Sequence, residues 1–202
     1  MFDLTGQVAV ITGSSRGIGG ATAECMARAG AKVVVSSRKP AACQAVADAI
    51  AASGGEALVV PCNVAEKEQL QNLIDQTVAR FGRLDILVCN AAVNPYFGPM
   101  AKMPDEAYDK IMHSNVRSNF WLCNMAAPHM VASGGGSIII ISSIGGRQGS
   151  PTLAVYGMSK SEANPCWCAR SAYRRQCSSV CFAVRNGTRC DRGAWLPRFS
   201  TR

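Results

Sequence analysis

The stretch Val8-Ala9-Val10-Ile11-Thr12-Gly13-Ser14-Ser15-Arg16-Gly17-Ile18-Gly19 constrains the fold more than any other part of the chain. Its first half is an unbroken apolar run, the pattern of a strand buried on both faces. Three glycines follow, Gly13, Gly17 and Gly19, and then a helical pattern from Ala21 to Ala29 that Gly30 closes. Strand, glycine turn and helix make the first βα unit of a dinucleotide-binding fold. Glycines let the backbone approach a pyrophosphate, and the helix N-terminus offers it unpaired N–H groups and a positive dipole end. The spacing is G-x3-G-x-G, not G-x-G-x-x-G. Such glycines also serve ordinary tight turns, so the flanking strand and helix carry the reading.

The alternation continues. Strands are expected at Lys32–Ser37, Ala57–Val60, Leu84–Cys89 and Ser137–Ser142, and helices at Ala41–Ala52 and Glu66–Phe81. A longer helical stretch runs from Asp105 to about Val131 in two pieces, with Pro104 near its start and Gly134-Gly135-Gly136 after its end. Strands alternating with helices of this length imply βαβ crossovers. The fold class is α/β, a doubly wound parallel sheet in a Rossmann-like three-layer sandwich.

In such sheets ligands lie beyond the carboxyl ends of the strands. After the second strand stand Ser36, Ser37, Arg38 and Lys39. An NAD site would want an acidic residue near here for the ribose 2′-OH, and there is none. Arg38, with Arg16 in the glycine turn, suits a 2′-phosphate instead, which favours NADP(H) over NAD(H). The other reading is that Arg38 and Lys39 are a solvated strand end. Asn63-Val64 follow the third strand, Asn90-Ala91-Ala92 the fourth, and Ser142-Ser143 the fifth.

Thirteen residues beyond Ser143 stands Tyr156, and four beyond that Lys160. At i and i+4 on a helix the two side chains share a face. An ammonium close to a phenol favours the ionised phenol, which makes Tyr156 a usable general acid for a carbonyl or base for an alcohol. A serine hydroxyl from the neighbouring strand end can bond the same oxygen. Tyr-x3-Lys alone is common on solvated helices; the upstream glycine turn and serine give it weight.

As a set, Thr12 to Gly19, Asn90-Ala91-Ala92, Asn115, Ser143, Tyr156 and Lys160 resemble a short-chain dehydrogenase/reductase over residues 1–160. Val34 to Lys39 and Asn90 to Gly98 resemble a carbonyl-reductase branch that uses NADPH on ketones and aldehydes. The resemblance implies that Tyr156 is the proton donor and Lys160 its activator, which also holds the nicotinamide ribose. Ser143 would orient the carbonyl, and Asn115 would position a water in the proton relay. Asn63-Val64 would sit by the adenine, where the family more often has Asp-Val. Asn90 would lie along the cofactor; the family's usual Asn-Asn-Ala-Gly is here Cys89-Asn90-Ala91-Ala92. Gly13, Ser14, Ser15, Arg16, Gly17, Ile18 and Gly19 would cradle the cofactor, with Ser37 and Arg38 at its 2′ end. Tyr96 and Phe97 would either line an apolar substrate pocket or pack their own loop.

Composition changes after Lys160. Residues 1–160 hold thirteen Lys and Arg against eleven Asp and Glu, whereas residues 161–202 hold eight Arg, no Lys and two acids. The same 42 residues hold five of the ten cysteines and two of the three tryptophans. The resemblance calls for a continued Tyr/Lys helix, a sixth strand followed by Pro-Gly, a substrate lid and a seventh strand. Pro165 interrupts the helix instead, no 3.6 or 2.0 period persists, and the C-terminal strands are expected to be missing or scrambled. A reading-frame shift just after Lys160 explains the break. Thr188-Arg189-Cys190 can be encoded so that the frame one base later reads Pro-Gly, near the expected place. The expected organisation is therefore a nucleotide-binding domain over 1–160 and an atypical, poorly ordered tail over 161–202.

Other functions find little support. Cys166, Cys168, Cys177, Cys181 and Cys190 lack a standard zinc spacing. The tail arginines lack the lysines and aromatic interleaving of a nucleic-acid arm. His113 and His129 have no second ligand at metal spacing, so they are expected to be satisfied or exposed and no metal site is expected. Asn186-Gly187-Thr188 reads as a chance glycosylation match. The five body cysteines read as buried thiols. No apolar run reaches ~20 residues and no secretory signal opens the chain, so the expectation is a cytoplasmic protein without membrane or nucleic-acid partners. Its partner would be a small carbonyl or alcohol. The family's homotetramer is not expected, because it uses C-terminal elements. Two functions follow: an NADP-dependent carbonyl reductase with weak or no turnover in this form, or a non-catalytic remnant with partial nucleotide binding.

Overall fold

The computed structural model describes residues 3–161 and the backbone of Cys177–Ala183. In chain order the elements are β1 (Val8–Thr12), α1 (Gly17–Arg28), β2 (Lys32–Ser36), α2 (Pro40–Ala52), β3 (Ala57–Val59), α3 (Lys67–Phe81), β4 (Ile86–Cys89), α4 (Asp105–Met112), α5 (Ser118–Ala132), β5 (Gly136–Ile141), α6 (Ala154–Ser161) and β6 (Cys177–Ala183). A π-helical turn, His113–Arg117, joins α4 to α5, and short 3₁₀ turns stand at Met100–Lys102 and Ile144–Gly146.

The sheet is parallel throughout, in the order β3-β2-β1-β4-β5-β6. Strand order reverses between β1 and β4, and a doubly wound sheet opens its ligand crevice at the carboxyl ends there. Side chains alternate along each strand, which splits the apolar residues into two layers. Val10, Val34, Leu87, Cys89 and Ile138 face Leu70, Leu73 and Ile74 of α3 and Leu122 of α5. Ala9, Ile11, Val33, Val35 and Val88 face Ala23 and Ala27 of α1 and Cys43 and Ile50 of α2. Both faces are covered, which is why the strands read as continuous apolar runs. Each fully buried Leu or Ile contributes about 1.5–3 kcal/mol over exposure. At the opposite edge from the crevice, the buried Asp85 carboxylate accepts the Val8 amide at 2.8 Å and a two-point bond from Arg83.

Among the residues after Lys160, a strand is described at Cys177–Ala183; it pairs parallel with β5, with an irregular register step at Gly136/Ser137. A parallel strand needs no period of two, so the short run Val180-Cys181-Phe182-Ala183 suffices. The other tail features read above (Pro165, the Asn186 match, Cys166, Cys168 and Cys190) lie outside the described residues.

Candidate active site

The glycine turn leaves β1 at Gly13, whose φ of +66° lies in the left-handed region that favours glycine. A methyl group there would lie 3.0 Å from both the Ala91 Cα and the Asn90 Nδ2. At Gly19 it would meet Asn90 Nδ2 and the Gly13 carbonyl oxygen at 2.5 Å. The turn is thus packed onto the end of β4. Asn90 clamps it, donating from Nδ2 to the carbonyls of Thr12 (2.9 Å) and Gly13 (3.1 Å). Thr12 Oγ1 accepts the amides of Asn90 and Ala91, both at 3.1 Å. Ser14 is fully buried; its hydroxyl donates to the Ile11 carbonyl at 2.7 Å and accepts the Ser36 amide at 2.9 Å. It therefore ties β1 to β2. Ser15 is half-buried.

Beyond Ser15 the turn opens outward. Arg16, Gly17 and Ile18 are exposed, and α1 begins at Gly17 with no side-chain cap on its first N–H groups. Gly17 has φ +58°, and a methyl group there would meet nothing within 4 Å. A glycine-lined turn, open space above it and an uncapped helix N-terminus fit a pyrophosphate.

Ser37, Arg38 and Lys39 follow β2, Ser37 half-buried and the two cations exposed. After β3, Asn63 stands in the turn that leads to α3: its side-chain oxygen accepts the Ala65 amide at 3.3 Å, and its own amide donates to Gln69 Oε1 at 2.8 Å. Val64 packs against the core layer under α3. These residues line the β2–β3 end of the carboxyl edge, and the turn with Asn90 lines the β1–β4 crevice.

Asn115, Ser143, Tyr156 and Lys160 gather near the ends of β4 and β5. Asn115 sits in the π-helical turn, 2% exposed. Its side chain brackets Val93, accepting that residue's amide at 2.8 Å and donating to its carbonyl at 3.0 Å, and also donates to Ser159 Oγ at 3.0 Å. Its own carbonyl accepts Asn119 Nδ2 at 2.8 Å. Ser143 Oγ accepts the Gly145 amide at 3.2 Å. A methyl group at Gly145 would lie 3.6 Å from that oxygen and 3.9 Å from two Tyr156 ring carbons, so both side chains border one small volume. Lys160 Nζ donates to the Ile141 carbonyl at 2.8 Å and stands 5.9 Å from the Tyr156 ring centre. Burial pulls the Lys160 ammonium down to about 8, partly opposed by the neighbouring Cys89 thiol. Cys89 is held well above the ordinary thiol range by its hydrogen bond with Cys123 and by burial.

Four residues that build this arrangement had no role assigned from the sequence. Thr12 and Ser159 supply the oxygens just described. Gly146 and Gly157 let α6 lie directly on the turn after β5: a methyl group at Gly146 would come within 2.7 Å of the Lys160 carbonyl, and at Gly157 within 2.5 Å of the Gly145 oxygen. Ser142 Oγ also donates to the Lys160 carbonyl at 2.8 Å. Paired glycines on facing segments were the available signal.

Of the two readings of Tyr96 and Phe97, Tyr96 follows the second, its hydroxyl donating to the Pro99 carbonyl of its own loop at 2.9 Å, whereas Phe97 is 74% exposed. Two expectations change. His113 is neither exposed nor satisfied: its Nε2 is buried without a hydrogen-bond partner among the described residues, and its ring stands edge-on to Trp121 at 5.3 Å. Cys25 is exposed and accepts a bond from Arg28, whereas Cys43, Cys62 and Cys89 are buried. Among the described residues the cysteines are free, no metal-binding cluster occurs, and no helix is long and apolar enough to cross a membrane.

Comparison with known proteins agrees with this geometry. The family model described as short chain dehydrogenase matches residues 7–165. The chain is 42% identical over 160 residues to "Dehydrogenase/reductase SDR family member 4" of Bos taurus, covering 78% of this chain and 56% of the relative. It is 40% identical over 155 residues to "Tropinone reductase-like 3" of Erythroxylum coca, covering 77% and 59%. It thus spans under two thirds of either relative's length. Among solved structures, a metagenomic short-chain oxidoreductase in complex with NADP superposes with a TM-score of 0.84 at 34% identity, covering 92% of this chain and 84% of that one. A short-chain dehydrogenase/reductase from Mycobacterium marinum gives 0.76 at 40% identity, covering 80% and 66%. With the fold, the glycine turn and the family match over most of its length, the chain belongs to the short-chain dehydrogenase/reductase family of oxidoreductases.

Proposed function

We propose that residues 1–160 form an NADP(H)-dependent carbonyl reductase site, running as an alcohol dehydrogenase in reverse. The observation that carries this is the gathering of Ser143, Tyr156 and Lys160 beside the crevice that begins at Gly13 and Asn90. Gly13 to Gly19 hold the pyrophosphate, Ser37 and Arg38 the 2′ end, and Asn63-Val64 the adenine. The bound nucleotide supplies the hydride. Tyr156 gives its phenolic proton to the carbonyl oxygen, and Ser143 donates a hydrogen bond to the same oxygen. Lys160 stabilises the phenolate left behind. One of its three donors is taken by Ile141, which leaves two for a ribose. Asn115 is a positioning residue, holding the loop after β4 to α6 through Val93 and Ser159 and serving the relay water that the resemblance implies.

This 202-residue form is proposed to turn over slowly or not at all. The family match ends at residue 165, where the composition has just changed. The second reading, a non-catalytic form that keeps partial nucleotide binding, rests on that same break. Assay of the whole chain with NADPH and an aromatic ketone decides between them, with Tyr156→Phe as the blank. Turnover of ~1–1000 per second, lost in Tyr156→Phe, establishes an ordinary reductase and removes the claim of weak activity. Saturable NADPH binding without turnover favours the second reading.

A further inference from the structure

We infer that Cys43, which lies outside the turnover chemistry, sets this chain's preference for NADPH over NADH by pinning the Ser37 hydroxyl at the end of β2. The inference rests on the reading of that strand end as the 2′ end of the nucleotide site. Cys43 sits in the first turns of α2 and is fully buried, so it cannot touch a ligand itself. Its thiol lies 3.1 Å from Ser37 Oγ and 4.0 Å from the Ser37 carbonyl oxygen. The same hydroxyl accepts the Lys39 amide at 3.3 Å, and the Cys43 amide donates to the Lys39 carbonyl at 3.1 Å. The Ser37 carbonyl accepts the Cys62 amide at 3.1 Å. Residues 37–43 are therefore knotted from below, and the buried Cys43 side chain reaches the knot from the core.

The knot fixes where Arg38 and Lys39, both exposed, leave the surface. A phosphate-bearing ribose needs these cations and the hydroxyl in one place at once. A bare ribose does not engage them. Releasing Ser37 adds an ordering cost to binding that falls on the phosphorylated nucleotide alone. Cys43 is thus a positioning residue for specificity.

The test compares two substitutions that separate hydrogen bonding from volume. Cys43→Val fills the space without a polar atom, and Cys43→Ser keeps a hydroxyl in less space. NADPH and NADH are titrated separately onto the full chain by nicotinamide fluorescence, which requires no turnover. Cys43→Val is expected to weaken NADPH about five-fold, the size of one lost hydrogen bond, with NADH unchanged, and Cys43→Ser to keep most of the preference. In a Ser37→Ala background Cys43→Val is expected to have no further effect. The inference is overturned if Cys43→Val keeps the preference, if both nucleotides weaken equally, or if the effect survives in Ser37→Ala. Should Cys43→Val fail to fold, Cys43→Ala takes its place with the same expectation. If the unsubstituted chain binds neither nucleotide, the reading of the β2 end falls and takes this inference with it.

Discussion

The Asn115 side-chain amide donates to Ser159 Oγ at 3.0 Å, and that hydroxyl donates in turn to the Tyr156 carbonyl at 2.8 Å. Two residues 44 positions apart are thereby joined in the interior. The π-helical turn between α4 and α5 is held to the helix that carries Tyr156 and Lys160. Ser159→Ala deprives a buried amide of one acceptor while leaving its bond to Val93. The expected loss is about 1–2 kcal/mol of stability, read from urea melts, with NADPH binding retained. An unchanged midpoint contradicts the linkage.

Gly157→Ala places a methyl group 2.5 Å from the Gly145 carbonyl oxygen, against backbone that cannot yield without moving the turn. Helix α6 is expected to shift away from Ser143. Stability should fall by about 1–3 kcal/mol, and any ketone turnover should be lost. Nucleotide affinity should fall less than turnover, because the turn at Gly13–Gly19 is untouched and only the Lys160 contact to the ribose moves with α6.

Gly13 and Gly17 both have positive φ but differ in what lies above them. Gly13→Ala meets the Ala91 backbone just after β4 at 3.0 Å as well as the left-handed penalty, and is expected to cost about 2–4 kcal/mol. Gly17→Ala meets only open space and should cost about 1–2 kcal/mol. Its methyl group enters the cradle, so NADPH affinity should drop at least tenfold, well beyond the loss in Tm. Equal NADPH binding by Gly17→Ala and the unsubstituted chain means the cradle is elsewhere.

Lys160 is pulled down to about 8 from the ordinary 10.5 by burial. Its charged form is destabilising in the fold, because the unfolded chain holds that proton more firmly. Between about pH 8 and 10.5 the unfolded state binds more protons, so this residue's contribution to stability becomes more favourable as pH rises. The full span is at most ~3 kcal/mol. Lys160→Met is therefore expected to exceed the unsubstituted chain in stability at pH 7, with the gap closing toward pH 10. A gap that is flat with pH would show that Lys160 is not desolvated.

Much of this was readable in the residues. The run Val8–Ile11 and the glycines after it announce a buried parallel strand and its turn, and the later apolar runs place β2, β4 and β5. The π-helical turn left no trace, because His113 to Arg117 contains neither proline nor glycine and an inserted residue does not alter helical propensity. Gly146 and Gly157 hint at a close approach, but which backbone each meets depends on how α6 lands on the turn after β5, which no local pattern encodes. Strand β6 lies in a stretch without alternation, which a parallel strand does not need. The fate of Phe97 turns on a loop whose path is set by Tyr96 and by a bond from the Gly98 amide to the Thr152 carbonyl.

The most direct test of the central claim is fluorescence titration of the unsubstituted 202-residue chain with NADPH and NADH at one ionic strength. The account predicts saturable binding of both, with NADPH the tighter, and loss of NADPH binding in Gly17→Ala. Absence of saturable binding up to millimolar nucleotide by a chain with a cooperative melt would contradict it.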